Sequence, residues 1–190
     1  MLLSMNQSHD GKEQPEVHRI ELKLREINQL FNTMDPSPFN EKDLDRDAEE
    51  FIVSWAREFP LNEPVVLVVH LGMFPPEQDP QPVIEQAVRH YFGYRLELNK
   101  LEFRHLMHDG RRSLLTGLLF LAACLTVSNL LFGAGAGAFS ILGRESLTIA
   151  GWVAMWRPME IYLYDWWPLH RRAKILEKLS RMAVEVRKGK

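Results

Sequence analysis

Ser113–Phe132, SLLTGLLFLAACLTVSNLLF, is the stretch on which the fold turns. It runs for 20 residues without a single charge. As an α-helix it extends about 30 Å, the thickness of a bilayer hydrocarbon core. The competing reading is the core helix of a soluble protein, but such helices rarely stay apolar on every face for so long. The run is therefore expected to cross a membrane.

Working outward, a second apolar stretch covers Leu147–Trp167, interrupted by Arg157, Pro158, Glu160 and Asp165. Beside the first run it reads as the return span. The tract Gly133-Ala134-Gly135-Ala136-Gly137 between them suits a turn, and Ser146 suits the N-cap of the second helix. Arg104, Arg111 and Arg112 precede the first run, and Arg171, Arg172 and Lys174 follow the second, whereas the connection holds only Arg144. The positive-inside rule then places both termini in the cytoplasm. Trp166 and Trp167 fall where an aromatic belt belongs on that side. Together with Arg111, Arg112, Arg171, Arg172 and Lys174 they are expected to meet anionic lipid headgroups. The expectation is a multi-pass protein of the inner (cytoplasmic) membrane.

The mean hydropathy of −0.21 hides this organisation. Residues 1–110 carry 11 Lys and Arg against 20 Asp and Glu, while residues 111–190 carry 12 against 5. A solvated acidic half is followed by a basic, apolar half. Cys124 is the single cysteine and lies inside the apolar run, so no intrachain disulfide forms. Met1–Lys12 lacks the basic flank and apolar core of a cleavable signal peptide, which leaves insertion to the internal segments.

The remaining sequence predicts a small α/β domain. Residues 1–16 are polar and aperiodic and read as a disordered tail. Ile20, Leu22 and Leu24 alternate with Glu21, Lys23 and Arg25 as a strand does. A helix is expected from about Asp45 to Phe59, with Ala48, Phe51, Ile52, Trp55 and Phe59 on its apolar face. Val65–Leu71 reads as the buried central strand, and a strand, a helix and a strand in that order favour a parallel crossover. From Asp79 and Pro80 onward, propensity favours one long helix leading to the membrane through residue 110, with Asp109-Gly110 a candidate break. After the second span, Arg172–Arg181 reads as a helix and Ala183–Arg187 as a strand that could join the first two. The expected fold class is thus α+β: a small α/β-like cytoplasmic domain (residues 17–110 and 169–190) with a two-helix transmembrane hairpin (111–168, spans near 113–132 and 147–167) inserted before its last helix and strand.

Arg157, Glu160 and Tyr164 stand at i, i+3 and i+7 and share one helical face. Charges within a span are costly unless paired or solvated, so this face, with Asn129 on the first span, is the intramembrane polar candidate. A local ion pair, a shifted helix that sets Arg157 at the cytoplasmic headgroups, a contact between copies and a conduction pathway are its readings. In an antiparallel hairpin, Arg157 is expected at the level of Ala122 and Ala123. His105, His108 and His170 could meet at one level, but metal ligation needs at least three converging donors and no metal site is assigned. Asp43, Asp45 and Asp47 imitate the start of a calcium loop, yet the glycine position holds Ala48 and the twelfth holds Ser54. No phosphate loop, dinucleotide fingerprint or nucleophile elbow is present. No cofactor, no catalytic residue and no nucleic-acid partner is expected.

Residues 149–161 (IAGWVAMWRPMEI) with Tyr164-Asp165-Trp166-Trp167-Pro168, Arg111–Leu115 and Ala48–Ile52 resemble a group of small bacterial two-span membrane proteins of unassigned function. The resemblance implies a bacterial inner-membrane setting and no activity. The functional expectation is a non-enzymatic membrane-anchored interaction or scaffold module, self-associating or bound to a protein partner. The alternative is an oligomeric ion or solute pathway lined by the Arg157/Glu160 face.

Overall fold

The computed structural model describes residues 17–38, 42–73, 79–132 and 137–189. The expected N-terminal tail, and residues 133–136 of the glycine tract, lie outside them. Helix makes up 70% of the structure, accompanied by one three-stranded parallel sheet. The chain divides into two compact units, residues 1–91 with 178–190, and residues 92–177.

The first unit is built on the sheet. Strands β1 (His18–Leu24), β2 (Val65–Leu71) and β3 (Ala183–Lys188) lie in that order, with β2 central and every pairing parallel. The C-terminal strand therefore does join the N-terminal ones. Ile20, Leu67 and Val184 share one register row and are buried, because side chains two apart on a strand point to the same face. Helix α1 (Arg46–Glu58) starts at Asp45, whose side chain caps it by accepting from the Asp47 N–H. Its buried face is Ala48, Ile52 and Ala56; Phe51 and Trp55, expected inside, are exposed. Two ladder-end contacts hold the connection into β2: the His18 ring donates to Glu63 and stacks on Phe59, with centroids 4.2 Å apart.

Helix α2 (Pro80–Phe132) is 53 residues long and continues through Gly93 and through Asp109-Gly110 without a break. It begins where Pro80 needs no N–H partner and Asp79 accepts from the Gln81 N–H. It is the one helix among the described residues long and apolar enough to span a membrane.

The second unit contains most of α2 and a broken helical series. Helix α3 (Ala138–Ala154) is capped by Gly137, and Ser146, expected at an N-cap, lies in its interior. A short α4 (Trp156–Glu160), a π-helical turn (Ile161–Asp165) and α5 (Trp166–Ser180) follow. This overturns the expected two-helix transmembrane hairpin. Pro158 has no N–H to return to the Ala154 carbonyl, so the helix stops at Ala154. The uninterrupted piece is 17 residues, about 25 Å, and it carries Arg144 and Glu145. Only residues 147–154 of the expected second span belong to this uninterrupted helix. Helix α5 starts well before the expected Arg172, and Ile175, Leu176 and Leu179 are buried as their spacing predicts.

Candidate functional site

Four close approaches order the second unit. A Cβ at Gly143 would lie 2.6 Å from the Phe132 ring, and one at Gly151 would lie 2.7 Å from Leu121 Cδ1. At Gly117 it would be 3.1 Å from the Ala154 carbonyl oxygen, and at Gly110 it would be 3.0 Å from Ile161 Cγ2. Rising numbers on the later segments meet falling numbers on α2, so α3 and α4 run antiparallel to it. Between Gly110 and Phe132, α2 buries Gly117, Cys124 and Ser128, all small, while Leu115, Leu119, Leu130 and Leu131 stay between 61% and 79% exposed. The helix is packed through its small residues and bare on its large ones.

Arg157 lies just after the break. Its Nη1 donates to Glu160 Oε2 at 3.0 Å and to Asp165 Oδ2 at 3.2 Å, so one guanidinium bridges two carboxylates. Arg157 and Glu160 do meet as their spacing predicts. Tyr164 does not join them: it is 69% exposed. Asp165 takes its place, and the i+8 spacing hid it. One π turn takes up an extra residue without extra rotation, which puts residue 165 on the face that residue 164 would hold in a regular helix. Pro158, between the charged residues, is buried.

The level of the cluster also differs from expectation. Gly117 meets Ala154 and Met155, and Gly110 meets Ile161 and Tyr162, which puts Arg157 between those two glycines. Ala122 and Ala123 lie further along α2. The charged cluster thus stands where Arg111 and Arg112 begin the apolar run, not at its middle. Asn129 is 12 residues beyond Gly117, about 18 Å along α2, exposed and apart from the Arg157 cluster.

The expected headgroup residues are on the surface. Arg111, Arg112, Arg171, Arg172 and Lys174 are exposed, and Arg172 approaches Glu102 at 3.9 Å. Trp166 donates its indole N–H to the Tyr162 carbonyl at 2.9 Å and packs edge-on against Trp167, with centroids 5.4 Å apart. His170 is 6.0 Å from the Trp166 ring, and among the described residues no group of three His, Cys, Asp or Glu side chains converges to hold a metal.

Asn99 is a polar residue the sequence did not single out. It is 3% exposed, and its Nδ2 donates to the Leu169 carbonyl at 3.0 Å. That bond fixes the amide orientation and leaves Oδ1 buried without a partner, beside a cavity of about 310 Å³ lined by Phe103, Arg104 and His170. An Asn amid Leu and Lys on a long helix carries no periodic signal that would have marked it.

Comparison with known protein families, with curated proteins and with solved structures finds no match. The resemblance to small bacterial membrane proteins therefore stands on the quoted segments alone.

Proposed function

We propose that the protein is a non-enzymatic, membrane-attached interaction module. Its apolar half of α2 is embedded in the cytoplasmic membrane, and its sheet unit is displayed on the cytoplasmic side for self-association or a protein partner. The carrying observation is the inverted packing of α2, of whose apolar window only 17% is buried. A core helix of a soluble protein hides its leucines. A lipid-embedded helix packs through glycine and other small residues and turns its leucines outward. Exposed large apolar surface on this scale marks contact with lipid or with another chain.

The sheet supports the placement of the termini. β1 and β3 flank the same strand, which fits a reading in which both lie on the same side of the membrane. Arg111 and Arg112 at the start of the apolar run assign that side to the cytoplasm by the positive-inside rule. The Arg157 bridge at the same level suits the headgroup region, where a partly solvated ion pair costs far less than at the bilayer centre.

Two measurements test the proposal. The protein should remain in the membrane pellet after alkaline carbonate extraction, and native mass measurement should capture a homo-oligomer or a reproducible partner. Release into the soluble fraction as a monodisperse monomer would sink both the attachment and the association.

A further inference from the structure

The polar face of the sheet carries a feature that the membrane reading does not use. Strand register places Lys23, His70 and Arg187 side by side across β1, β2 and β3. The row behind them on the same face is Glu21, Val68 and Glu185. Strands lie about 4.8 Å apart, so the three basic or imidazole side chains span about 10 Å at the carboxyl end of the sheet. Arg25, Lys188 and the backbones of Gly72 and Gly189 complete a groove of about 600 Å³ there.

Two observations separate this groove from an ordinary solvated face. First, His70 Nε2 is buried and has no hydrogen-bond partner; its nearest carboxylate, Glu21 Oε2, is 3.6 Å away. The His70 ring itself is partly exposed at the groove, so a small shift of the side chain would let a ligand oxygen satisfy this unpaired nitrogen. Second, among the described residues no ion pair engages Lys23, Arg25 or Lys188, while Arg187 is held to Glu185 at 2.6 Å. The groove has a surplus of positive charge at the carboxyl ends of the three parallel strands. The Gly72 and Gly189 N–H groups already donate to Leu24 and Leu71, so recognition falls to the side chains.

We propose that this groove binds a phosphate group, with Lys23, His70 and Arg187 each meeting an oxygen. Lysine and arginine give charge-assisted bonds to phosphate, and the imidazole Nε2–H supplies the third donor between them. Glu185 holds Arg187 in place, and Glu21 limits affinity. The phosphate belongs either to a free phosphorylated small molecule or to a lipid headgroup, which share this chemistry. The site lies wholly in the sheet unit and does not depend on how α2 is embedded.

The test uses the full-length protein in nanodiscs of zwitterionic lipid, with the His70 imidazole ¹⁵N resonances as readout. One arm titrates inorganic phosphate and pyrophosphate. The other compares nanodiscs doped with phosphatidylglycerol. A saturable shift in the first arm assigns a soluble ligand; a shift in the second arm alone assigns a headgroup. K23Q/R187Q should weaken binding at least roughly tenfold, and E21Q should strengthen it, which keeps the test sound if the double variant folds poorly. No saturable shift in either arm, or wild-type affinity in K23Q/R187Q with tightening absent in E21Q, would overturn the proposal.

Discussion

Gly117 of α2 faces the carbonyl of Ala154, with 3.1 Å between that oxygen and the place a Cβ would occupy. Ala154 is four residues before Pro158, whose missing N–H cannot close the helix onto this carbonyl. The break in one helix and the glycine in the other therefore form a single contact, in which a backbone Cα–H can approach the oxygen.

Gly117→Ala should destabilise the protein by about 1–3 kcal/mol, because a backbone carbonyl cannot step aside as a flexible side chain can. Gly93→Ala is the control. A Cβ there meets nothing within 4 Å, so better helix propensity should stabilise the protein by about 0.5–1 kcal/mol. Thermal unfolding of the purified protein in detergent would check both; equal shifts for the two variants would contradict the packing described.

The Arg157 bridge predicts a coupling between residues eight apart. A double-mutant cycle with Arg157→Ala and Asp165→Asn should give a small, salt-sensitive coupling, since Arg157 and Asp165 are 58% and 31% exposed in the pair. Arg157→Ala with Tyr164→Phe should give none. Coupling through Tyr164 and not through Asp165 would show a regular helix in place of the π turn.

Acid stability should depend on Asp35. Its carboxylate accepts from the Asp43 N–H at 2.8 Å and from the Ser37 N–H at 2.9 Å, which holds its pKa below the ordinary value. A carboxyl lowered in the folded state adds stability that is fully present above its unfolded pKa. That stability is lost as pH falls through the folded one. Asp35→Asn should lower stability at neutral pH and flatten the loss below about pH 4, read by urea unfolding across pH.

The sheet's closure by the C-terminal strand can be tested by truncation. Removing residues 183–190 exposes the unpaired edge of β2 and uncovers the core at Leu67 and Val69, both 0% exposed. Hydrogen exchange should show β1 and β2 losing protection together. Unchanged protection of β2 would mean that β3 is dispensable.

Much of this was legible in the sequence. The 20-residue apolar run, the alternation of β1, the valine-rich β2 and the return of β3 follow from hydrophobic period alone, because burial of one face forces that period. The start of α1 near Asp45 follows from the helical period of Ala48 and Ile52. Phe51 and Trp55 read as core because the helical period marks a face but not how far a neighbour covers it.

What the sequence by itself determined, then, is which segments must avoid water. What only the tertiary structure decided is where Arg157 stands and which carboxylates it meets. Pro158 ends a helix, a π turn takes up one more residue after it, and the glycines of α2 set the level at which the broken series packs. Period-based reading assumes an unbroken 3.6-residue helix, and a single missing N–H with one wide turn was enough to replace Tyr164 by Asp165. The same holds for the groove at Lys23, His70 and Arg187. These residues lie 47 and 117 positions apart in the chain, and only the pairing register of a parallel sheet makes them neighbours.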